Sequence, residues 1–212
     1  MYLPAHFDAS AQADHWLARL LARDPFVTLV SVRDGAPFAT HLPVLAERDA
    51  DGRWTLLGHW ARANPQWQGI EAQTVLAIVH GPHAYVSPRG YPDPARSVPT
   101  WNYAVAHLSG RVERVDDAET LLQIVDRLSA HFEAAAPAPW SRAGADASLA
   151  QLARAIVGFR LRVERLEVKL KLGQNHPPAK SGAAADALAA APDAASREVA
   201  AWMHELRAAR GG

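Results

Sequence analysis

The segment 58–67, which reads GHWARANPQW, holds residue types that bind phosphate groups. Asn64 and Pro65 are preferred as the N-cap and the first residue of a helix, so the sequence predicts a helix over residues 65–73. The first N–H groups of a helix attract anions, and the forked guanidinium of Arg62 suits a phosphate. The same pattern is also typical of a capped helix that binds no ligand.

Other polar and aromatic residues follow predicted strands. Pro43 lacks an N–H, so residues 40–43 are expected at a sheet edge or a bulge, where the backbone is free to bind a ligand. A proline-rich connection precedes residues 101–102 and indicates a rigid loop that faces a ligand, another subunit or only solvent. Lys171 and Gln174 lie at a strand end, where a solvent-exposed face is the simpler interpretation.

Composition excludes several classes of function. The chain has 212 residues, no cysteine, ten histidines, and 22 acidic and 22 basic residues. The lack of cysteine rules out disulfides, thiolate nucleophiles and Cys-ligated metals, and the histidines have no metal-site spacing, so we expect no metal. Zero net charge argues against sequence-independent binding to nucleic acid or anionic membranes. No apolar run approaches the roughly 20 residues that span a bilayer, and no secretory signal begins the sequence, so we expect a cytoplasmic location.

Short strands dominate the predicted elements. Strands are expected at residues 26–32, 38–45, 54–58, 74–79, 84–87, 103–115 and 157–172. Helices are expected at residues 10–23, 116–134, 148–156 and 194–210, and residues 179–193 form an Ala-rich linker or weak helix. The last strand changes its apolar phase near residues 164–166, which predicts a bulge or bend. Closely spaced strands without βαβ alternation predict a mainly β, α+β fold: a small antiparallel barrel with added helices.

Five blocks in order along the chain resemble the PaiB family, described as FMN-binding negative transcriptional regulators. The similarity extends from residue 1 to about residue 178, and the Ala-rich tail carries little of it. The blocks are Met1, Tyr2, Pro4, His6 and Phe7, then residues 58–67, 81–88 (GPHAYVSP), 98–103 (VPTWNY) and 169–175 (KLKLGQN).

The resemblance implies an FMN-binding split β-barrel, usually a homodimer with the flavin at the subunit interface, and a role in repression. We therefore expect a split-barrel domain with added helices over residues 1–178 and an Ala-rich linker with a C-terminal helix over residues 179–212. No helix–turn–helix pattern is visible, and the neutral charge is not typical of a DNA reader. Repression could then be indirect, through redox sensing or a partner.

By analogy with related split-barrel flavoproteins, the resemblance also implies flavin contacts. His59, Arg62 and Asn64 are the candidates beside the phosphate. The backbone of residues 40–43 would face the isoalloxazine ring, and residues 101–102 would come from the partner subunit or a covering loop. The full candidate set, with Lys171 and Gln174 as weaker members, is Thr40, His41, Leu42, Pro43, His59, Trp60, Ala61, Arg62, Asn64, Trp101, Asn102, Lys171 and Gln174.

Three functions remain open at this level. The first is a non-enzymatic regulator or redox sensor that carries FMN, which the lack of an evident acid, base or nucleophile favours. The second is a reductase-like or oxidase-like enzyme that uses NAD(P)H and FMN, so the sequence leaves open whether the protein is an enzyme. The third and weakest is a haem-binding protein, since some split-barrel relatives bind haem and the chain has ten histidines.

Overall fold

A computed structural model describes residues 1–142 and 153–211 and shows a mainly β protein with flanking helices. The strands are β1 (Phe26–Arg33), β2 (Ala36–Pro43), β3 (Leu45–Arg48), β4 (Trp54–Ala61), β5 (Thr74–Val86), β6 (Thr100–Val115) and β7 (Ile156–Lys171). The helices are α1 (Ala13–Arg23), α2 (Ala118–Glu133), α3 (Pro178–Ala189) and α4 (Ala194–Gly211). The 7-stranded sheet has the order β2-β1-β5-β6-β7-β4-β3.

The β1–β2 hairpin forms where the sequence predicts it. Asp34 and Gly35 both have positive φ, 52° and 76°, which is the turn geometry that matches the twist of paired strands. Strand β2 lies at the end of the sheet order, so Pro43 is in an edge strand, as expected for a residue without an N–H. Strand β3 is separate, whereas the sequence predicts one strand over residues 38–45.

Two strands are longer than the sequence predicts. Strand β4 continues through residues 59–61, which were expected to form a loop. Strand β5 passes unbroken through Gly81 and Pro82, which were expected to separate two strands. A Cβ on Gly81 would lie 2.6 Å from Leu20 Cδ2 and 2.7 Å from Ala104 O, so this glycine permits close packing and does not mark a turn.

Strand β7 changes its buried face as predicted. Its buried apolar side chains fall on odd positions up to Val163 and on even positions from Val168, with Glu164 and Arg165 exposed between them. The chain therefore presents a new face after this point, which is the phase change read from the sequence.

The helix predicted over residues 65–73 is wrong. The structure has two short 3-10 turns there, Pro65–Trp67 and Ile70–Ala72, and Gly69 between them has a φ of 70°. A left-handed residue ends a helical run, so no helix dipole of useful length points at an anion. The physical basis of the sequence argument for a phosphate site at this point is therefore lost.

Helix α2 is capped by Asp117, whose side chain accepts a hydrogen bond from a first-turn N–H. It buries Leu121, Ile124 and Leu128 in a core cluster of the sheet. Phe132, near the end of the same helix, is half exposed. Of the helix predicted over residues 148–156, residues 148–152 lie outside the described residues, and Ala153–Ala155 form a 3-10 turn that leads into β7.

The Ala-rich segment is helical and not an extended linker. Helix α3 buries Ala184, Ala185 and Leu188, and helix α4 buries Val199 and Trp202. Helix α1 begins at Ala13, directly after a 3-10 turn of residues 10–12, whereas the sequence predicts one helix from residue 10. The division of the chain at residue 178 into a barrel domain and a tail stays a prediction.

Two compact units make up the described residues. The first unit comprises Met1–Arg23, His80–Ala106 and Glu167–Gly212, and the second comprises Asp24–Val79 and His107–Leu166. Strands β5, β6 and β7 contribute residues to both units. Among the described residues, no helix combines the length and apolar character that a bilayer-spanning segment requires.

Candidate functional site

In the second unit, Arg62 is held by backbone carbonyl groups. Its Nε donates to Arg154 O at 2.7 Å, and a terminal nitrogen donates to Ile156 O at 2.9 Å. Its own N–H donates to Ala155 O at 2.7 Å. A phosphate would have to compete with these bonds, so the phosphate role of Arg62 stays a prediction that its present contacts do not support.

Asn64 is an N-cap, as the sequence predicts. Its side-chain oxygen accepts a hydrogen bond from Gln66 N at 2.9 Å. Its Nδ2 donates to Thr40 Oγ1 at 2.9 Å, which joins two of the predicted flavin contacts directly. The side-chain groups of Asn64 thus hold the 3-10 turn against the edge strand β2.

Trp60 belongs to the core and presents no flat surface to a ligand. The residue is 1% exposed, and its ring lies 4.5 Å from the ring of Phe159. Its Nε1 donates to Gln66 Oε1 at 3.0 Å. The core position of Trp60 does not support a flavin contact, which stays a prediction, because residues 59–61 continue a strand and alternate side chains of a strand face the interior.

The neighbouring Gln66 has a role that the sequence analysis missed. It is 2% exposed, and its Nε2 donates to Leu29 O at 2.9 Å, Ser31 Oγ at 3.1 Å and Phe38 O at 3.1 Å. Together with the bond from Trp60, these contacts tie β1, β2 and β4 to one amide. No sequence signal separates such a glutamine from one on the surface.

His59 is largely buried on β4, where it pairs with Gly158 of β7. Burial lowers the pKa of its imidazole, so the ring favours the neutral form. Its Nδ1 is buried and has no hydrogen-bond partner among the residues that the structure describes. A neutral imidazole is a weak partner for a phosphate dianion, and Ala61 beside it offers only backbone groups.

The edge residues of β2 differ in exposure. Leu42 is buried in the core, whereas the side chain of His41 is exposed. The imidazole of His41 stacks at 6.4 Å from the Phe26 ring, and its Nδ1 lies 3.0 Å from Thr28 Oγ1. The predicted contact of this backbone with a flavin ring is untested by these positions and stays a prediction.

In the first unit, a pocket of about 310 Å³ gathers cationic side chains. Arg96, Lys171 and Lys180 line it, and no carboxylate is present among its described lining residues. We call it the Lys171 pocket. Its other walls are Phe7, Tyr91, Ser97, Val98, Pro99, Thr100, Asn102, Asn175 and His176.

The Lys171 ammonium lies between strands β6 and β7 of this unit. It donates to Thr100 Oγ1 at 2.6 Å and to Trp101 O. An ammonium has three N–H donors, so one remains for a ligand after these two bonds. Burial and the nearby Lys169 lower the pKa of Lys171, because both disfavour the charged ammonium.

Aromatic rings and His176 complete the pocket wall. The Lys180 ammonium lies 4.6 Å from the centre of the Tyr91 ring, and the His176 ring lies 5.7 Å from that of Tyr91. Burial, Lys180 and Lys171 lower the pKa of His176. The concentration of positive charge that lowers this pKa is also what attracts an anion.

Residues 101–102 lie on β6 and not in a loop. Asn102 is 2% exposed and donates from Nδ2 to Met203 Sδ at 3.3 Å, so its amide is bonded within its own chain, and its contact with a flavin stays a prediction. Trp101 is 53% exposed, with the rings of His83 and Tyr85 at 6.2 and 6.0 Å. Asn102 is thus buried and Trp101 is exposed, whereas the sequence analysis treated these two neighbours as one group.

Gln174 closes the end of β7. Its Oε1 accepts from Leu172 N at 2.7 Å, and its Nε2 donates to Leu170 O. Lys169, two positions before Lys171, is buried and donates to Tyr2 O at 2.9 Å. The interpretation of this strand end as a solvent-exposed face is therefore wrong.

The sequence analysis missed Arg96, Lys180 and His176 as members of a site. Arg96 lies just before the block 98–103, and the other two lie just after the block 169–175. Their positions beside two blocks of the PaiB resemblance were the available signal. Their convergence depends on the pairing of strands far apart in sequence, which local patterns do not report.

The chain matches the model of a protein family described as "Putative FMN-binding domain" over residues 1–165. It therefore belongs to this family of FMN-binding domains. Among individual proteins, it is 34% identical over 179 residues to Protease synthase and sporulation protein PAI 2 of Bacillus subtilis (strain 168). That alignment covers 82% of this chain and 83% of the relative, and it confirms the PaiB resemblance.

Solved structures confirm the fold class, a mainly β split barrel with flanking helices. The FAD and heme binding protein from Mycobacterium smegmatis superposes with a TM-score of 0.55 at 21% identity, covering 74% of this chain and 70% of that chain. A conserved hypothetical protein from Mycobacterium tuberculosis gives a TM-score of 0.52 at 14% identity, covering 84% and 94% of the two chains. At these identities the likeness concerns the fold alone.

Family membership confirms FMN as the cofactor class that the sequence predicts. The residues of the Lys171 pocket fit the anionic end of such a cofactor, because three cations and several neutral donors line it without a carboxylate among its described walls. Its volume lies at the lower end of the range for small-molecule sites, which suits part of a ligand better than the whole.

Proposed function

We propose that the protein is an FMN-dependent regulator or redox sensor and that it holds the FMN phosphate in the Lys171 pocket. The observation that carries this proposal is the cationic lining of that pocket by Arg96, Lys171 and Lys180. Family membership supports FMN as the ligand, and the pocket offers a concave group of cations for its charged end.

Each cation has a distinct part in this arrangement. Lys171 is fixed by its bonds to Thr100 and Trp101, so its remaining donor is preorganised for a phosphate oxygen. Lys180 and Arg96 add positive charge to the same pocket. The centre of the Phe7 ring, another wall of the pocket, lies 5.9 Å from the Lys171 ammonium.

Bound FMN supplies one- or two-electron redox chemistry, and the protein tunes it through charge and hydrogen bonds. The cations of this pocket are suited to binding and orientation. Its described lining residues include no carboxylate that could act as a general acid or base. This lining therefore suits retention of the phosphate end of the flavin.

The regulatory role has support from the relative in Bacillus subtilis, whose name refers to protease synthesis and sporulation. We extend a role of that kind, repression included, to this chain as a proposal. The neutral net charge favours action through a partner or through the flavin's redox state over direct DNA binding. A cytoplasmic location stays a prediction from the sequence.

We also propose that the chain forms a homodimer with FMN at the subunit interface. The exposed apolar surface around Trp101 and Tyr85 supports this, since isolated monomers seldom expose grouped aromatic rings. A flavin-reductase activity with NAD(P)H is the alternative. Sustained NAD(P)H oxidation by the FMN-loaded protein would favour that alternative and contradict a purely sensory role.

The test of flavin binding compares three variants with the wild-type protein. FMN is titrated into flavin-free protein, and the dissociation constant is measured from flavin fluorescence. We expect Lys171→Met to weaken FMN binding by about tenfold or more, since it removes a charged hydrogen-bond donor. Arg89→Met is the matched control, because Arg89 is an exposed cation of the same unit that does not line the pocket.

Arg62→Ala tests the site read from the sequence. If the phosphate lies beside residues 59–64, this variant loses affinity and Lys171→Met does not. That result would contradict the proposed site while preserving FMN binding itself. Absence of FMN binding by the wild-type protein would contradict the proposed function as a whole.

A further inference from the structure

Helices α3 and α4 of the first unit border a second cleft, of about 710 Å³. Positively charged or chargeable groups dominate it, namely Arg207 and two histidines, and no carboxylate occurs among its described lining residues. We call it the α3–α4 cleft. Its walls are Gln174, His176, Pro178, Ser181, His204, Arg207 and Ala208.

Ser181 provides an independent sign of a ligand. The residue lines the cleft and is 3% exposed, and its Oγ has no hydrogen-bond partner in the described part of the chain. A buried hydroxyl without a partner costs about 1–3 kcal/mol, so such groups are uncommon in native proteins and call for an explanation. A ligand oxygen in the cleft would satisfy it.

The surroundings of Ser181 explain why it lacks a protein partner. Its neighbour Gly173 has a φ of 83°, and a Cβ there would lie 3.2 Å from Ser181 Oγ. Glycine therefore keeps space next to the hydroxyl, and Asn102 Nδ2, which would lie 3.7 Å from the same Cβ, donates to Met203 Sδ and not to Ser181. Ser181 lies in the first turn of α3, a 12-residue helix whose positive dipole end favours an anion, although its first residue, Pro178, has no N–H to donate.

Arg207 is positioned by another glycine. A Cβ on Gly182 would lie 2.6 Å from Arg207 Nη1, so the absence of a side chain there lets the guanidinium of α4 lie against α3. His204, one turn earlier on α4, has its Nε2 3.6 Å from Asp186 Oδ1.

We propose that the α3–α4 cleft binds the phosphate group of a small phosphorylated metabolite, separate from the flavin phosphate. The guanidinium fork of Arg207 and the hydroxyl of Ser181 are the principal donors, with the imidazoles of His176 and His204 beside them. A forked guanidinium with a hydroxyl is typical of phosphate recognition. For a regulator, this makes the cleft a site for an effector.

Inorganic phosphate serves as the probe. It is titrated by isothermal calorimetry into FMN-saturated protein in a buffer free of phosphate, so that the flavin already occupies its own pocket. We expect saturable binding of one phosphate per chain. Ser181→Ala and Arg207→Gln should each weaken it by about tenfold or more, whereas Arg89→Gln, an exposed control of equal charge change, should not.

Thermal unfolding separates a ligand role from a structural one. Because its hydroxyl has no partner, Ser181→Ala should unfold no earlier than wild type without phosphate, yet lose the stabilisation that phosphate gives the wild-type protein. A Ser181→Ala variant that binds phosphate as wild type does would overturn the proposal. So would the absence of saturable phosphate binding by the wild-type protein.

The FMN affinities of the same variants keep the two proposals apart. Ser181→Ala and Arg207→Gln should bind FMN as wild type does, because neither residue lines the Lys171 pocket. A loss of FMN binding in both would show that the cleft belongs to the flavin site and would overturn the proposal of a separate one. If the wild-type protein binds no FMN, phosphate is titrated into the flavin-free Lys171→Met variant. Phosphate must still bind to this variant, and adding Ser181→Ala must weaken that binding.

Discussion

The ammonium of Lys171 should give FMN binding a characteristic dependence on pH. Burial and the neighbouring Lys169 lower its pKa, so the ammonium loses its charge as the pH rises through that lowered value. We expect FMN affinity to fall on the alkaline side at a pH below the usual lysine pKa of about 10.4. Fluorescence titrations from about pH 7 to about pH 11 measure this effect.

Lys171→Arg is the control for that alkaline loss. A guanidinium stays charged over the whole range, so this variant should retain its FMN affinity where the wild-type protein loses it. If both proteins lose affinity at the same pH, the titrating group is not Lys171.

Gln66 should contribute more to the stability of the fold than a glutamine on the surface does. Replacing it with alanine leaves the Trp60 Nε1 and several carbonyl acceptors without their buried partner. We expect Gln66→Ala to lower the free energy of unfolding by about 3 kcal/mol, measured by urea denaturation. Gln123→Ala, on the exposed side of α2, should change it by less than about 0.5 kcal/mol, and a similarly small effect at Gln66 would contradict its bridging role.

At the level of single residues, the sequence predicts what depends on near neighbours. The capping by Asn64 follows from its own type and from Pro65, and the structure confirms it. The burial of Trp60 and the convergence of Arg96, Lys171 and Lys180 depend on strand pairing over long separations, so no local pattern contains them.

Among the elements, the sequence predicts the presence of the strands better than it predicts where they end. Strand β5 continues through Gly81 and Pro82, although that pair is typical of a turn, because packing against Leu20 requires a residue without a side chain. At Pro65 the opposite occurs: residues typical of a helix start form only a short turn, because Gly69 follows in the left-handed region. Local sequence patterns identify such positions, but tertiary contacts determine whether they form a turn, a strand or a helix.

Gly110 should be essential to the approach of β6 and β7. A Cβ at this position would lie 1.9 Å from Arg162 O, a backbone atom that cannot move alone. We expect Gly110→Ala to lower the free energy of unfolding by at least about 3 kcal/mol or to prevent folding.

The matched control for Gly110 is a glycine in open space. Gly52 has a φ of 75° in the β3–β4 turn, and a Cβ there would meet nothing within 4 Å. Gly52→Asn should therefore change stability by less than about 1 kcal/mol, because asparagine tolerates the left-handed region. Equal urea midpoints for the two variants would contradict the steric explanation of Gly110.

For the whole molecule, the proposed homodimer predicts a solution mass of twice the 22.9 kDa of the chain. Light scattering after size-exclusion chromatography measures it. Trp101→Glu places a charge in the exposed aromatic patch and should shift the mass toward that of one chain. A wild-type protein that elutes as a monomer at micromolar concentration would contradict the dimer, and with it the interface location of FMN.

The central claim is that the Lys171 pocket holds the phosphate of FMN. The most direct measurement is the ratio of FMN to riboflavin affinity, because these two flavins differ only in the phosphate group. In the wild-type protein FMN should bind much more tightly than riboflavin, and Lys171→Met should reduce that ratio by about tenfold while leaving riboflavin affinity nearly unchanged. An unchanged ratio in Lys171→Met would show that the phosphate lies elsewhere.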